Sequence, residues 1–126
     1  MSRIEQSRLV LAVRDLQKST RFFMDVLGCQ RDFGDGSDGW SFLSRDNWRV
    51  MLGECPDERP AVDIGNHSYV AYLLVDGVDQ LFSEFTSNGA AHISKLEDQP
   101  WGLREFGLET PDGHRLRFGQ VTDVSG

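Results

Sequence analysis

The residues with the widest chemical repertoire in this chain are three histidines, His67, His92 and His114, and two cysteines, Cys29 and Cys55. The histidines stand far apart in sequence, in loop or turn contexts, so none shares a ligand spacing with another. The expectation for them is a surface or locally hydrogen-bonded imidazole. The cysteines form no CxxC and have no nearby histidine pair, which predicts free, partly buried thiols in a reducing compartment. No serine, histidine and aspartate can be placed as a nucleophilic set, and neither cysteine has a histidine partner to activate it. Covalent chemistry has no visible engine here.

The elements that must position any site follow from apolar periodicity. Arg8 to Val13 reads as a buried strand, Asp15 is placed to cap a helix starting at Leu16, and Gly28 to end it. Leu16, Phe23 and Leu27 give that helix one apolar stripe. A short strand near Cys29–Phe33 and a glycine-rich loop over 34–39 follow. Trp40–Ser44 and Trp48–Leu52 then flank the turn Arg45-Asp46-Asn47, a hairpin signal. The same plan returns in the second half: strand 68–75, helix 78–88, a strand near 91–95, and Arg104–Glu109 joined to His114–Phe118 across Thr110-Pro111-Asp112-Gly113. Residues 54–66 read as a link between the halves. With 126 residues the halves must share one domain, because neither is large enough to bury an independent core.

Composition excludes several classes of function. At 39% apolar and 26% charged the chain is an ordinary globule. No apolar run is long enough to span a membrane, and Met1 to Gln6 lacks the hydrophobic stretch of a signal peptide, so the expected location is cytoplasmic. A formal net charge of −7 repels phosphate backbones and excludes nucleic acid as a partner; it serves solubility on its own account and also favours capture of cationic small molecules.

The run Val13-Arg14-Asp15-Leu16, followed by Ser19, Phe22-Phe23 and Val26-Leu27-Gly28, resembles the opening V-x-D-L-x-x-S-x-x-F-Y-x-x-x-L-G of the vicinal oxygen chelate superfamily. That superfamily holds glyoxalases, extradiol dioxygenases and bleomycin-resistance proteins. Thr110-Pro111-Asp112-Gly113-His114 resembles its closing D-P-x-G-N turn, with Thr110 departing at the first position. The resemblance covers residues 7 to 119. It implies an α+β fold of two βαβββ modules (7–53 and 67–119), each a curled, mainly antiparallel sheet around a cleft, and usually a homodimer.

The resemblance also implies where a metal would sit. Counted from the motifs, its four ligand positions fall on Ser7, Met51, Val70 and Arg117, none of them a hard-metal ligand. No cofactor is therefore expected, and His67 is the histidine to watch should a metal bind after all. By strand alternation Leu9 and Leu11 would share the cleft face with Ser7, Arg49 with Met51, Tyr72 and Leu74 with Val70, and Arg115 with Arg117. Gly39-Trp40, Trp101-Gly102 and Leu116-Arg117-Phe118 are similar to the metal-free bleomycin-resistance pattern. That likeness makes Phe33, Trp40, Phe42, Trp101 and Phe106 candidate stacking residues, with Arg49, Met51, Tyr72 and Arg117 completing the expected site. The reading leans to a non-catalytic protein that sequesters a cationic aromatic antibiotic. A glyoxalase- or dioxygenase-type lyase or isomerase, and a binding module for another metabolite, stay open as alternatives.

Overall fold

In the computed structural model, which describes residues 2–57, 59, 63 and 69–122, the chain forms two compact units, residues 1–58 and 59–126. Each is a four-stranded sheet with one helix in the order βαβββ.

The first unit runs β1 (Leu9–Val13), α1 (Leu16–Arg21, continuing as a π-helical turn over Phe22–Val26), β2 (Gln30–Phe33), β3 (Trp40–Arg45) and β4 (Trp48–Glu54). Its sheet order is β1-β4-β3-β2, with β1 parallel to β4 and the other pairs antiparallel. The Asp15 carboxylate accepts from the Lys18 amide at 3.0 Å, and Glu54 Oε2 accepts from the Leu16 amide at 3.2 Å, so two of the orphan donors of α1 are satisfied. At the other end Arg45 donates to the Leu27 carbonyl at 2.8 Å. A buried hydrogen bond of 2.7 Å between the Thr20 and Ser41 hydroxyls fastens α1 to β3. Leu11, Val13, Leu16, Phe23, Leu27, Leu43, Val50 and Leu52 are the buried core.

The second unit runs β5 (Tyr69–Leu74), α2 (Val78–Ser87), β6 (Glu97–Asp98), β7 (Leu103–Glu109) and β8 (Arg115–Val121), in the order β5-β8-β7-β6. Here the helix N-terminus is capped from the sheet: Gln120 Oε1 accepts from the Gly77 and Val78 amides at 2.9 and 2.8 Å. The core is a cluster of rings. Phe106 stacks on Phe118 at 5.1 Å, and Phe85 meets both edge-on. The turn at 110–113 closes with the Gly113 amide donating to the Thr110 carbonyl at 2.8 Å, Gly113 taking φ +86°.

Four expectations need correction. Glu54 is the last residue of β4 rather than the start of the link, whose residues 58, 60–62 and 64–66 lie outside the described set, as does His67. The strand near 91–95 reduces to one bridge, Ile93 to Leu108, and the paired strand begins at Glu97. There the Gly107 amide is taken by the Ser94 hydroxyl at 2.7 Å, so a side chain replaces a rung of the ladder. The third concerns the face of β1. Leu11 is 4% exposed, opposite the buried Leu52, whereas Val10 is 57% exposed opposite Met51. The open face of β1 therefore carries Val10, and Leu9 and Leu11 lie on the other side, because a count wrong by one residue inverts a strand. Lastly, Phe106 is 0% exposed, enclosed by Phe82, Phe85 and Phe118, and is a core residue rather than part of the open face.

Candidate functional site

Because helix and sheet bury one face in each unit, functional side chains must come from the other. In the first unit that face is aromatic. Phe33 and Phe42 stack at 4.4 Å and 21°, with Phe33 and Trp40 exposed and Phe42 half-buried. The register sets Phe42 opposite Met51 and Trp40 opposite Gly53. Trp40 lies flat on Gly53, where an added Cβ would come within 2.8 Å of the ring, so only glycine admits this pose. Arg49 lies half-buried at the end of the same face, opposite Ser44.

Three residues that sequence reasoning did not single out hold this platform. The Arg8 guanidinium stands 5.6 Å from the centroids of both Phe33 and Phe42, within cation–π range, and donates to Asp32 at 3.2 Å and to the Val50 carbonyl at 3.3 Å. Asp32 also accepts from the Ser44 hydroxyl at 2.7 Å. That bond, with the help of Arg8 and Gln30, keeps the Asp32 carboxyl below its ordinary range against the opposing effect of burial. The parity of Val10, extended back two residues, was the signal for Arg8.

The open face of the second unit is polar. Its centre is Glu105, 3% exposed yet ionised, which accepts from the Tyr72 hydroxyl at 2.6 Å and from Arg117 at 2.9 Å. Burial would raise this carboxyl; hydrogen bonds from Tyr72 and Arg117, the Arg117 charge and a hydrogen bond from the Trp101 indole together bring it below its usual value. The counterpart is Tyr72, whose phenol is pushed up to about 12 by burial and by the Glu105 carboxylate. The ring of Tyr72 remains partly exposed, as does Trp101 at 64%. Tyr72 lies over Gly119, where an added Cβ would collide with its hydroxyl. Beside this network a groove of about 420 Å³ is lined by Tyr69, His92, Ile93, Ser94, Arg115 and Arg117, among others. Of the remaining candidates, Leu74 is exposed beside them, and His114 is buried, its Nδ1 within 3.1 Å of the Thr110 hydroxyl.

Known proteins share this architecture. A family model described as the Glyoxalase/Bleomycin resistance protein/Dioxygenase superfamily matches residues 5–118. The chain belongs to that superfamily. It is 30% identical to bleomycin resistance proteins of Geobacillus stearothermophilus and Staphylococcus aureus, over 91% of this chain and 96% of theirs. Among solved structures, a bleomycin-binding protein complexed with bleomycin superposes with a TM-score of 0.73 at 27% identity, covering 93% of this chain and 98% of that one. A bleomycin resistance determinant encoded on transposon Tn5 shares the fold at a TM-score of 0.76 and 24% identity, covering 96% and 100%.

Within the superfamily, the four expected metal positions can be tested on their side chains. Ser7 is exposed and precedes β1, Val70 sits in a register shift between β5 and β8, and Met51 offers only a thioether. Arg117 places a permanent cation there and spends one nitrogen on Glu105. This donor set does not fit a divalent metal. Among the described residues no group of three or more His, Cys, Asp or Glu could hold one. No described helix is long and apolar enough to cross a membrane.

Proposed function

We propose that this protein binds and sequesters an antibiotic of the bleomycin type, cationic and carrying a flat aromatic group, without altering it chemically, as a homodimer in the cytoplasm. The observation that carries this reading is the stacked, outward-facing Phe33–Phe42 pair with Trp40 and Met51 beside it, on a chain of net charge −7. Exposed rings held rigid by Arg8 and Asp32 present apolar area at little further loss of entropy, which is what stacking a planar group requires. On the second unit Tyr72, Trp101 and Arg117 supply rings and donors already fixed by Glu105. The relatives named for bleomycin resistance support the choice of ligand.

Fluorescence titration with bleomycin at low and high salt tests the reading. Wild type should show saturable quenching. Trp101→Ala and Phe42→Ala should each weaken binding about tenfold to hundredfold, the equivalent of roughly 1–3 kcal/mol of ring contact. Added salt should mainly slow association, since steering by net charge is screened beyond about 10 Å. Absence of saturable quenching up to about 100 µM, a ligand free energy near −5.5 kcal/mol, sinks the reading. Sedimentation checks the homodimer, and a monomer at micromolar concentration would remove it.

A further inference from the structure

The groove of the second unit has a chemistry that the aromatic platform does not share. Its floor is Gly107, where an added Cβ would stand 3.2 Å from Arg117 Nη1, so the guanidinium lies close over a residue without a side chain. Arg117 donates through Nη2 to the buried Glu105 carboxylate, which fixes the plane of the fork. Nη1 and Nε have no hydrogen-bond acceptor among the described residues. The other two charged groups in the lining, Arg115 and Glu109, pair with each other at 3.3 Å. Tyr69, Ala91 and Ile93 contribute apolar wall.

A pre-oriented guanidinium with donors to spare matches a planar oxyanion, and a carboxylate fits that fork better than a point acceptor does. With Arg115 and Glu109 paired, Arg117 is the lining charge that has no counter-charge within the lining, which matches a single negative charge. We propose that this groove is a binding site for a small apolar monocarboxylate, whose oxygens accept from Arg117 and whose apolar body lies against Tyr69 and Ile93. The site shares Arg117 with the antibiotic-binding reading, but its ligand and its test are separate.

The test is a titration of ¹⁵N-labelled protein with benzoate, followed at the Gly107 amide and the Arg117 Nε–H. A saturable shift at both sites is expected, with half-saturation on the order of 10 mM, as befits a fragment of this size. In Glu105→Gln/Arg117→Met, which removes the guanidinium without stranding a buried carboxylate, the shift should vanish. Phenyl phosphate, a dianion, and benzamide, which is neutral, should each bind at least several-fold more weakly. No saturable shift in the wild type overturns the site, and binding retained by the double variant overturns the assignment to Arg117. Benzamide or phenyl phosphate binding as tightly as benzoate overturns the ligand class. Failure with bleomycin leaves every one of these outcomes intact.

Discussion

Removing one oxygen, in Tyr72→Phe, isolates what the Glu105 network contributes. The Tyr72 hydroxyl donates to a 3%-exposed carboxylate at 2.6 Å, a short charge-assisted bond. A hydrogen bond to a charged group contributes about 1.5–3 kcal/mol, and the partly exposed ring puts this one toward the lower end. A loss of about 1.5 kcal/mol in a domain of this size lowers Tm by roughly 4–9 °C. The sign of the pH effect follows from the direction of the shift. Glu105 titrates below its ordinary value in the folded chain, so its stabilisation is present above the unfolded carboxyl's pKa and is lost as pH falls through the folded one. Without the Tyr72 donor the folded value moves up, and the acid limb of the Tm profile should begin at higher pH. Thermal melts from pH 3 to 8, with tyrosinate absorbance to find the phenol titrating near 12 in wild type and missing in the variant, check both halves. Equal Tm at pH 7 together with superimposable acid limbs would refute the argument that Tyr72 holds Glu105 ionised.

Further outcomes follow from named contacts. Gly119→Ala should destabilise by about 1–3 kcal/mol through overpacking against Tyr72, and far less in a Tyr72→Ala background; a double-mutant cycle by urea unfolding measures the coupling. Cys55 is exposed whereas the Cys29 thiol is pushed up to about 12, chiefly by burial, so a thiol reagent at pH 8 should titrate Cys55 rapidly and Cys29 only on unfolding. Burial holds the His114 imidazole below its ordinary value, with the Asp112 charge in partial opposition. Stability should therefore decline as pH falls from about 6.5 through the folded pKa, and His114→Gln should flatten that slope in melts between pH 5 and 7. EDTA should leave Tm unchanged, because Ser7, Met51, Val70 and Arg117 offer no metal site; a fall that one metal reverses would contradict this.

How far the sequence disclosed this molecule depends on the range of the interaction concerned. The order of strands and helix in each unit, the Asp15 cap and the Pro-Asp-Gly turn were legible because each is marked by residues close together in the sequence. Parity on β1 was not, since Ser7 lies before the strand and nothing local marks where its alternation begins. The exchange of roles between Phe106 and Glu105 has a similar origin. In Leu103-Arg104-Glu105-Phe106-Gly107 a glutamate reads as solvent-facing, and only Tyr72 and Arg117, from β5 and β8, with Trp101 ahead of β7, make its burial tolerable. Asp32 was missed for the same reason, as Arg8 and Ser44 come from other strands. The π-helical turn at Phe22–Val26 left no mark in the apolar periodicity.

Strand registers make the two open faces comparable position by position. Leu43 opposite Val50 corresponds to Leu108 opposite Leu116, and Ser41 opposite Leu52 to Phe106 opposite Phe118, so the helix-side faces are mostly apolar in both units. On the open side Trp40, Phe42, Met51 and Val10 correspond to Glu105, Gly107, Arg117 and Tyr72. Wherever the first unit offers ring or thioether, the second offers a charge, a hydroxyl or bare backbone. Each unit nonetheless keeps a glycine, Gly53 or Gly119, under a large ring laid across the sheet, Trp40 in one and Tyr72 in the other. The repeat thus preserves the device that flattens a ring onto the face while the surrounding side chains divide the work. On the proposed reading, Phe33, Phe42 and Trp40 would grip a planar group by contact area, whereas Arg117 and Tyr72 would discriminate by hydrogen bonding, where one unpaired buried group is decisive. Exchanging the two chemistries at corresponding positions should on this argument fail unequally. Met51→Arg adds an unpaired cation beside Phe42 with no carboxylate to receive it, while Arg117→Met leaves Glu105 buried with one donor fewer. The second change should therefore be the more damaging to folding, by about 1–3 kcal/mol in urea unfolding, because a surface arginine can turn to water and a carboxylate that is 3% exposed cannot.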